Sequence, residues 1–302
     1  TFIIERKHVG DGIVNPDAGQ VDFERIWFVP DRPELEPASD EELLDLLERR
    51  CAQYFLDWSS RKRDDWESFD ANKQAVQHPG SYGLPQDRST FNDLLTTGGI
   101  GFQIPACIIC AERGWITRAE AVERVLSILN ILANADSFGT EPVGRIGYKG
   151  WYYHFLGLDA LRKQNFDFPD SDRREDLNTV ELSTIDTGLA LMGVLAAQSY
   201  FKRDNPNEMD IRTLAQSIYD CVEWDFMLEP TSNQFYLGWK PNEERDDNNF
   251  EIPDEAGEGS YSGVDENPAT LDFYTDEAAI ITMLAVGSTT HPVDASVHCA
   301  WI

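Results

Sequence analysis

The most regular apolar pattern in the chain runs from Thr179 to Phe201. Ser183 is placed to cap a helix, and Asp186, three residues on, reaches back to complete a capping box. Behind the cap Ile185, Leu189, Met192, Ala196 and Ala197 recur at helical spacing, while Gly188, Ala190, Leu191, Gly193, Val194 and Leu195 make the other side apolar or small. A helix apolar all round is expected to be buried all round. The same reading predicts helices over Ser39–Ser60, Gly98–Arg113 and Arg118–Ala135, another from Pro206 or Asn207 to about Leu228, and a last one from Asp272 through Ala285. In the first of these, Leu43, Leu44, Leu47, Cys51, Tyr54, Phe55 and Trp58 form the stripe expected to be buried. Nearly unbroken apolar helices alternate with amphipathic ones such as Arg118–Ala135, capped by Thr117 with Glu120 in the box position. That alternation predicts an all-α double layer, inner helices buried on both sides and outer ones half exposed.

Between the helices the pattern breaks down. Residues 1–38 mix Pro, Gly and charges and read as an N-terminal arm or linker with at most a short strand, ahead of one domain over 39–302. Residues 61–97, 136–178 and 229–272 are long loops, and a loop as long as 61–97 in a compact domain is either functional or disordered. The second contains Gly150-Trp151-Tyr152-Tyr153-His154-Phe155, too aromatic for a plain connector, with room for short strands.

Composition narrows the functional classes. The 302 residues carry a formal net charge of −29, which argues against nucleic acid or an anionic membrane as partner, since phosphate binding needs basic patches. Five cysteines in no framework spacing leave Cys107-Ile-Ile-Cys110 as core residues of an apolar helix rather than a redox or zinc pair. There is no H-E-x-x-H, no calcium-loop spacing around Asp246-Asp247 or Asp254-Glu255, and no clustered His and Cys, so neither metal nor cofactor is expected. No apolar run is long enough to span a bilayer.

Several fragments in order resemble the glucoamylase-like domain family, which includes bacterial endo-β-1,2-glucanases and a domain of cyclic β-1,2-glucan synthases. They are Gly83-Leu84-Pro85-Gln86-Asp87-Arg88-Ser89, Thr97-Gly98-Gly99-Ile100-Gly101-Phe102, Ala111 through Thr117, Tyr153-His154-Phe155 and Glu181 through Thr187. Tyr219 through Trp224, Gly238-Trp239-Lys240-Pro241 and Gly287 through Pro292 follow, so that residues 45–302 are covered. The resemblance implies an (α/α)6 toroid, in agreement with the double layer. It also implies further helices past the Thr-His-Pro motif, so either the ring is open at its C-terminal end or the sequence is a fragment. At Thr275-Asp276-Glu277 the chain departs from the family, which has Asn or Ser before the Glu. A periplasmic or extracellular setting is implied as well, although no signal peptide or disulfide framework is visible and a cytoplasmic one stays open.

The chemistry implied is glycoside hydrolysis of β-1,2-glucan or a related oligosaccharide, which needs one protonated carboxyl and one carboxylate. Inversion is the expected outcome. Exo-glucosidase or transglycosylase action, or a non-catalytic sugar-binding role, are the alternatives. Glu181 is the expected general acid, with its pKa raised by an aromatic, partly desolvated cleft. Asp87, Asp159 and Glu277 are candidates for the second carboxylate, although Asp87-Arg88 equally fits a structural ion pair, Asp159 a turn and Glu277 a helix first turn. Trp151, Tyr152 and Tyr153 offer stacking faces; His154, Asp159, Arg88, Trp239 and Lys240 are candidate sugar contacts. Asp186 is assigned to the cap, since five residues along a helix would turn it about 140° from Glu181.

Seven lysines stand against eighteen arginines, and such an acidic, lysine-poor surface suits high salt, where screening removes self-repulsion. The melting temperature is therefore expected to rise between low and molar salt; a flat or falling value in a thermal melt would exclude salt adaptation.

Overall fold

The computed structural model describes residues 2–6, 23–28, 39–59, 68–69, 75–76, 81–88, 94–133, 146–158, 160, 162, 180–241, 243–245, 251–253, 259–261, 263–264, 267–271 and 277–300. The chain divides into two compact units, Thr1–Arg50 and Cys51–Ile302. In the first, strands Phe2–Arg6 and Phe23–Phe28 pair antiparallel, with Ile3 opposite Trp27 and Ile4 opposite Ile26.

Six α-helices are described: α1 Asp40–Asp57, α2 Thr97–Glu112, α3 Arg118–Leu132, α4 Thr184–Tyr200, α5 Pro206–Asp220 and α6 Ala278–Gly287. The starts of α1, α3 and α4 follow the expected caps at Ser39, Thr117 and Ser183, and α5 adds one at Asn205. The Thr117, Ser183 and Asn205 side chains accept from the backbone N–H groups of Glu120, Asp186 and Glu208, each satisfying a donor the helix leaves free. The helix expected to run to Leu228 instead stops at Asp220 and resumes as a 3-10 turn over Trp224–Met227.

Among these helices, α4 packs against α2, α5 and α6, and α3 packs against α2 and α5. The apolar helices α2, α4 and α6 thus form one row, with amphipathic α3 and α5 as a second layer behind it. Glycine decides how closely the row packs. A methyl group on Gly101 would fall inside the Leu189 carbonyl, and one on Gly193 would lie 2.9 Å from Gly101 Cα, so α2 and α4 touch backbone to backbone. Gly188 likewise leaves room for the Ile281 side chain of α6.

A partly buried ion pair ties the second layer together. Arg118, at the start of α3, donates from Nε and Nη2 to the two carboxylate oxygens of Glu208 in the first turn of α5, each at 2.9 Å. The same guanidinium lies 4.5 Å from the Tyr200 ring centroid. Arg118 draws the Glu208 carboxyl down to about 2.

Two expectations are corrected. The apolar helices are not buried all round: Phe102 of α2, Met192 of α4 and Met283 of α6 are 55%, 47% and 61% exposed. Of the stripe on α1, Leu43, Leu44 and Trp58 are exposed, and Ala52 is the helix's buried residue. Periodicity shows that a face can be buried, not which neighbour covers it.

The structure also adds short strands that two-residue lengths hide from a period-2 pattern. Leu95–Thr96 pairs with Phe155–Leu156, Tyr153 bridges to Leu182, and Leu182–Ser183 pairs with Gly238–Trp239. Thr96 and Ser183 are the N-cap residues of α2 and α4, so this web of strands holds the two helix starts side by side.

Gly101→Ala is expected to lower stability by about 1–3 kcal/mol or more, because the added methyl meets rigid backbone. Gly114→Ala, where nothing lies within 4 Å, should cost only the strain of a positive φ of 70°, about 1 kcal/mol. Urea midpoints of the two variants decide the order.

Candidate active site

Three functional groups converge where the strands cross the starts of α2 and α4. His154 and Glu181 sit on neighbouring segments, and the His154 backbone N–H donates to the Glu181 carbonyl at 2.9 Å. That pairing aims both side chains the same way: His154 Nδ1 lies 3.0 Å from Glu181 Oε1. On the other edge of the imidazole, Nε2 lies 3.5 Å from Asp186 Oδ2. The ring stacks on Phe155 at 3.8 Å between centroids. Thr97, the first residue of α2, fixes the segment by donating its N–H to the His154 carbonyl and its hydroxyl to that of Tyr153.

Asp186 is seated more firmly than a cap requires. Its Oδ2 accepts from Ser183 Oγ at 2.5 Å, and the Gly98 backbone N–H of α2 donates to the carboxylate as well. A side chain at Gly98 would occupy the position of Asp186 Oδ1. The carboxylate therefore lies at the positive ends of two helix dipoles, its own and that of α2.

The exposure of the pair is intermediate: the His154 and Glu181 side chains are 32% and 31% exposed, against 14% for Asp186. The electrostatics follow from that. Burial pushes the Glu181 carboxyl up, but the hydrogen bond and charge of His154, with its own backbone N–H and Lys240, outweigh burial and leave it below the ordinary carboxylate value. His154 shows the converse. Burial disfavours its charge, yet Glu181, Asp186 and Asp87 together raise it above the ordinary imidazole value. For Asp186 burial dominates and Glu181 adds to it, so its carboxyl lies above the usual range despite His154, Ser183 and Gly98. The raised value expected at Glu181 is therefore found at Asp186, because the imidazolium is closer to Glu181.

Of the other candidates, Asp87 and Lys240 are close enough for their charges to act on His154 and Glu181 respectively. Arg88 is exposed and pairs with Asp87 at 2.5 Å. The aromatic candidates have no open face. Trp151 is fully buried and donates from Nε1 to the Glu223 carbonyl, and Tyr152 donates to the Leu132 carbonyl. Tyr153 is buried beneath the Arg162 guanidinium at 4.5 Å, and Trp239 is 2% exposed and stacked on Tyr148. These rings are packing beneath the site rather than sugar platforms, because the strands that carry them run through the core. Among the described residues no hydrogen bond or ion pair joins Glu277, at the N-cap of α6, to this group. Asp159 lies outside the described residues.

The contact of Asp186 with His154 escaped the sequence reading. The separation of about 140° assumed that Glu181 and Asp186 share a helix, whereas Glu181 precedes the Leu182–Ser183 strand and only Asp186 is helical. Glycine in Thr97-Gly98-Gly99, opposite an aspartate in a helix first turn, was the available signal. Among the described residues no group of three or more His, Cys, Asp and Glu is arranged to hold a metal ion, and no helix is long and apolar enough to cross a membrane.

The shifts set a pH window. His154 is raised from 6.5, so its pairing stabilises the fold fully below 6.5 and is lost as pH rises through its higher folded value. Glu181 is lowered from 4.5, so its share is present above 4.5 and is lost as pH falls through its lower folded value. His154→Gln should therefore cost most stability between about 4.5 and 6.5 and progressively less at alkaline pH; an equal loss at every pH in urea unfolding would contradict the pairing.

No family model matches the chain. It is 29% identical over 210 residues to the exo-β-1,2-glucooligosaccharide sophorohydrolase (non-reducing end) of Parabacteroides distasonis, covering 68% of this chain and 24% of that protein. The crystal structure of a candidate glucoamylase from Bacteroides uniformis superposes with a TM-score of 0.59 at 25% identity, over 88% of this chain and 51% of that one. A β-1,2-glucanase structure from Parabacteroides distasonis shares the fold with a TM-score of 0.59 at 23% identity, over 87% and 30%. The chain thus spans about half, or less, of the length of these relatives. In sequence and in its helical double layer, which accounts for part of an (α/α)6 toroid, it resembles the glucoamylases and β-1,2-glucanases.

Proposed function

We propose that this chain carries the acid–base centre of a glycoside hydrolase acting on β-1,2-linked glucan or glucooligosaccharide, with Glu181 as general acid. The observation that carries the reading is the hydrogen bond between His154 Nδ1 and Glu181 Oε1 in a half-exposed position. Between the lowered midpoint of Glu181 and the raised midpoint of His154 the pair is ionic in the free protein. A bound sugar that excludes water raises the carboxyl and lowers the imidazole, because desolvation penalises both charges. Both changes drive the proton from Nδ1 to Oε1. Glu181 then protonates the leaving glycosidic oxygen as the C1–O bond breaks.

For the second carboxylate we favour Asp87. It acts on His154 through space, and among the described residues no contact joins it to Glu181. A gap between the carboxyl groups, roughly 6.5–9.5 Å in inverting enzymes, leaves room for the attacking water. That water adds to C1 and gives its proton to Asp87, with inversion at the anomeric carbon. Lys240 beside Glu181 and Arg88 beside Asp87 are the polar groups we assign to sugar hydroxyls.

Likeness to a sophorohydrolase acting at the non-reducing end favours, as a second reading, exo rather than endo action. Linear β-1,2-glucan incubated with the protein distinguishes the two, since exo action releases one short product from the outset and endo action a ladder. Glu181→Gln is expected to lower kcat by about 10²–10⁴-fold, and Asp87→Asn by a similar factor. Turnover near wild type in Glu181→Gln would remove it as the acid, and binding without turnover in the wild type would indicate a sugar-binding domain.

A further inference from the structure

Asp186 lies beyond the two carboxylates assigned to the reaction, and its seat exceeds what a helix cap needs. It is held at once by Ser183 Oγ and by the Gly98 N–H of another helix, and its Oδ2 faces His154 Nε2 at 3.5 Å. We propose that Asp186 is the positioning residue of this site, acting through His154 to fix which ring nitrogen delivers the proton to Glu181. The inference rests on the proton transfer described above.

The chemical logic is one of tautomers. Protonated at both nitrogens, His154 faces Glu181 with Nδ1 and Asp186 with Nε2. When the Nδ1 proton passes to Glu181 Oε1, the neutral ring keeps its Nε2 proton against the Asp186 carboxylate. Nδ1 is then the free base, ready to be reprotonated by solvent in the next cycle. Without a negative charge at 186, the neutral ring has no reason to keep its proton on Nε2. A ring protonated at Nδ1 alone would have to give up its last proton to Glu181, leaving an imidazolate.

Among the described residues, the ionisable groups that face His154 come from three different segments. They are Glu181 from the strand entry, Asp186 from α4 and Asp87 from the loop ahead of α2; Lys240 acts on the partner Glu181. Among the described residues only Asp186 combines contact with Nε2 and a backbone seat from a second helix. A capping role alone would be met by the Asp186 backbone N–H, which already donates to Ser183 Oγ at 3.1 Å.

Asp186→Asn is the test. Asparagine keeps the shape, and its carbonyl oxygen still accepts from Gly98, so the fold is expected to survive. The chain has five histidines, and His154→Gln assigns the His154 resonance by its loss. By NMR titration, Asp186→Asn should lower the His154 midpoint by about 1 pH unit, the low end of the shift for one opposite charge nearby. The ¹⁵N shifts of the neutral ring should move from the Nε2–H toward the Nδ1–H form. With β-1,2-glucan as substrate, kcat should fall with KM little changed, the loss growing to about tenfold at pH values above the wild-type His154 midpoint and vanishing well below it, matching the lost imidazolium. Thr117→Ala, which removes a cap of the same kind from α3, should leave the His154 titration where it is. An unchanged midpoint and tautomer in Asp186→Asn overturns the proposal, as does an equal shift in Thr117→Ala. Absence of turnover in the wild type would count against the hydrolase reading alone, since the titration needs no substrate.

Discussion

The backbone-to-backbone contact between α2 and α4 is the constraint on which the rest depends. Gly101 and Gly193 permit it, and Gly98 extends the close approach to the first turns of both helices. Interiors are packed as densely as organic crystals, so a helix pair at this spacing tolerates no added side chain along the seam. The approach also has an electrostatic result. It brings two helix N-termini onto one carboxylate, Asp186, and lets a side chain of α4 be anchored by a backbone group of α2. The short strands then carry His154 and Glu181 to the same place through ordinary antiparallel pairing.

Two opposing terms set the character of the site. Burial penalises each charge, while an opposite charge at about 4 Å returns ~4 kcal/mol at an effective dielectric near 20. For Glu181, nearest the imidazole and one-third exposed, attraction wins and the carboxyl is held ionised. For Asp186, more deeply placed and sensing the charge of Glu181, burial wins. One imidazole thus separates the properties of two chemically similar groups, and does so by distance and exposure alone.

Much of the fold was legible in the residues. The caps at Thr117 and Ser183 fall where the sequence places them, and alternation of apolar with amphipathic helices corresponds to the two layers. Legibility failed where a signal was too short or depended on a distant partner. Two-residue strands carry no periodicity. The exposed Phe102, Met192 and Met283 look identical in sequence to buried residues, because hydrophobicity states what a face can bury and not what lies against it. The stacking faces expected of Trp151, Tyr152 and Tyr153, and the sugar contact expected of Trp239, fail for the same reason: these rings are core.

The sequence by itself determined the helices, their capping residues, the layer each belongs to, and Glu181 as an acid ahead of a helix start. These are local matters, decided by spacing along the chain and by hydrogen bonds between residues three apart. Only the tertiary structure decided that Asp186 faces His154, that the Glu181 carboxyl is drawn down while that of Asp186 is pushed up, and that Gly98 is the seat of a carboxylate. Those outcomes depend on groups far apart in sequence, Gly98, His154, Glu181 and Asp186, arriving within a few ångströms of one another. At that range, distance and exposure set protonation, and neither can be read from residue order.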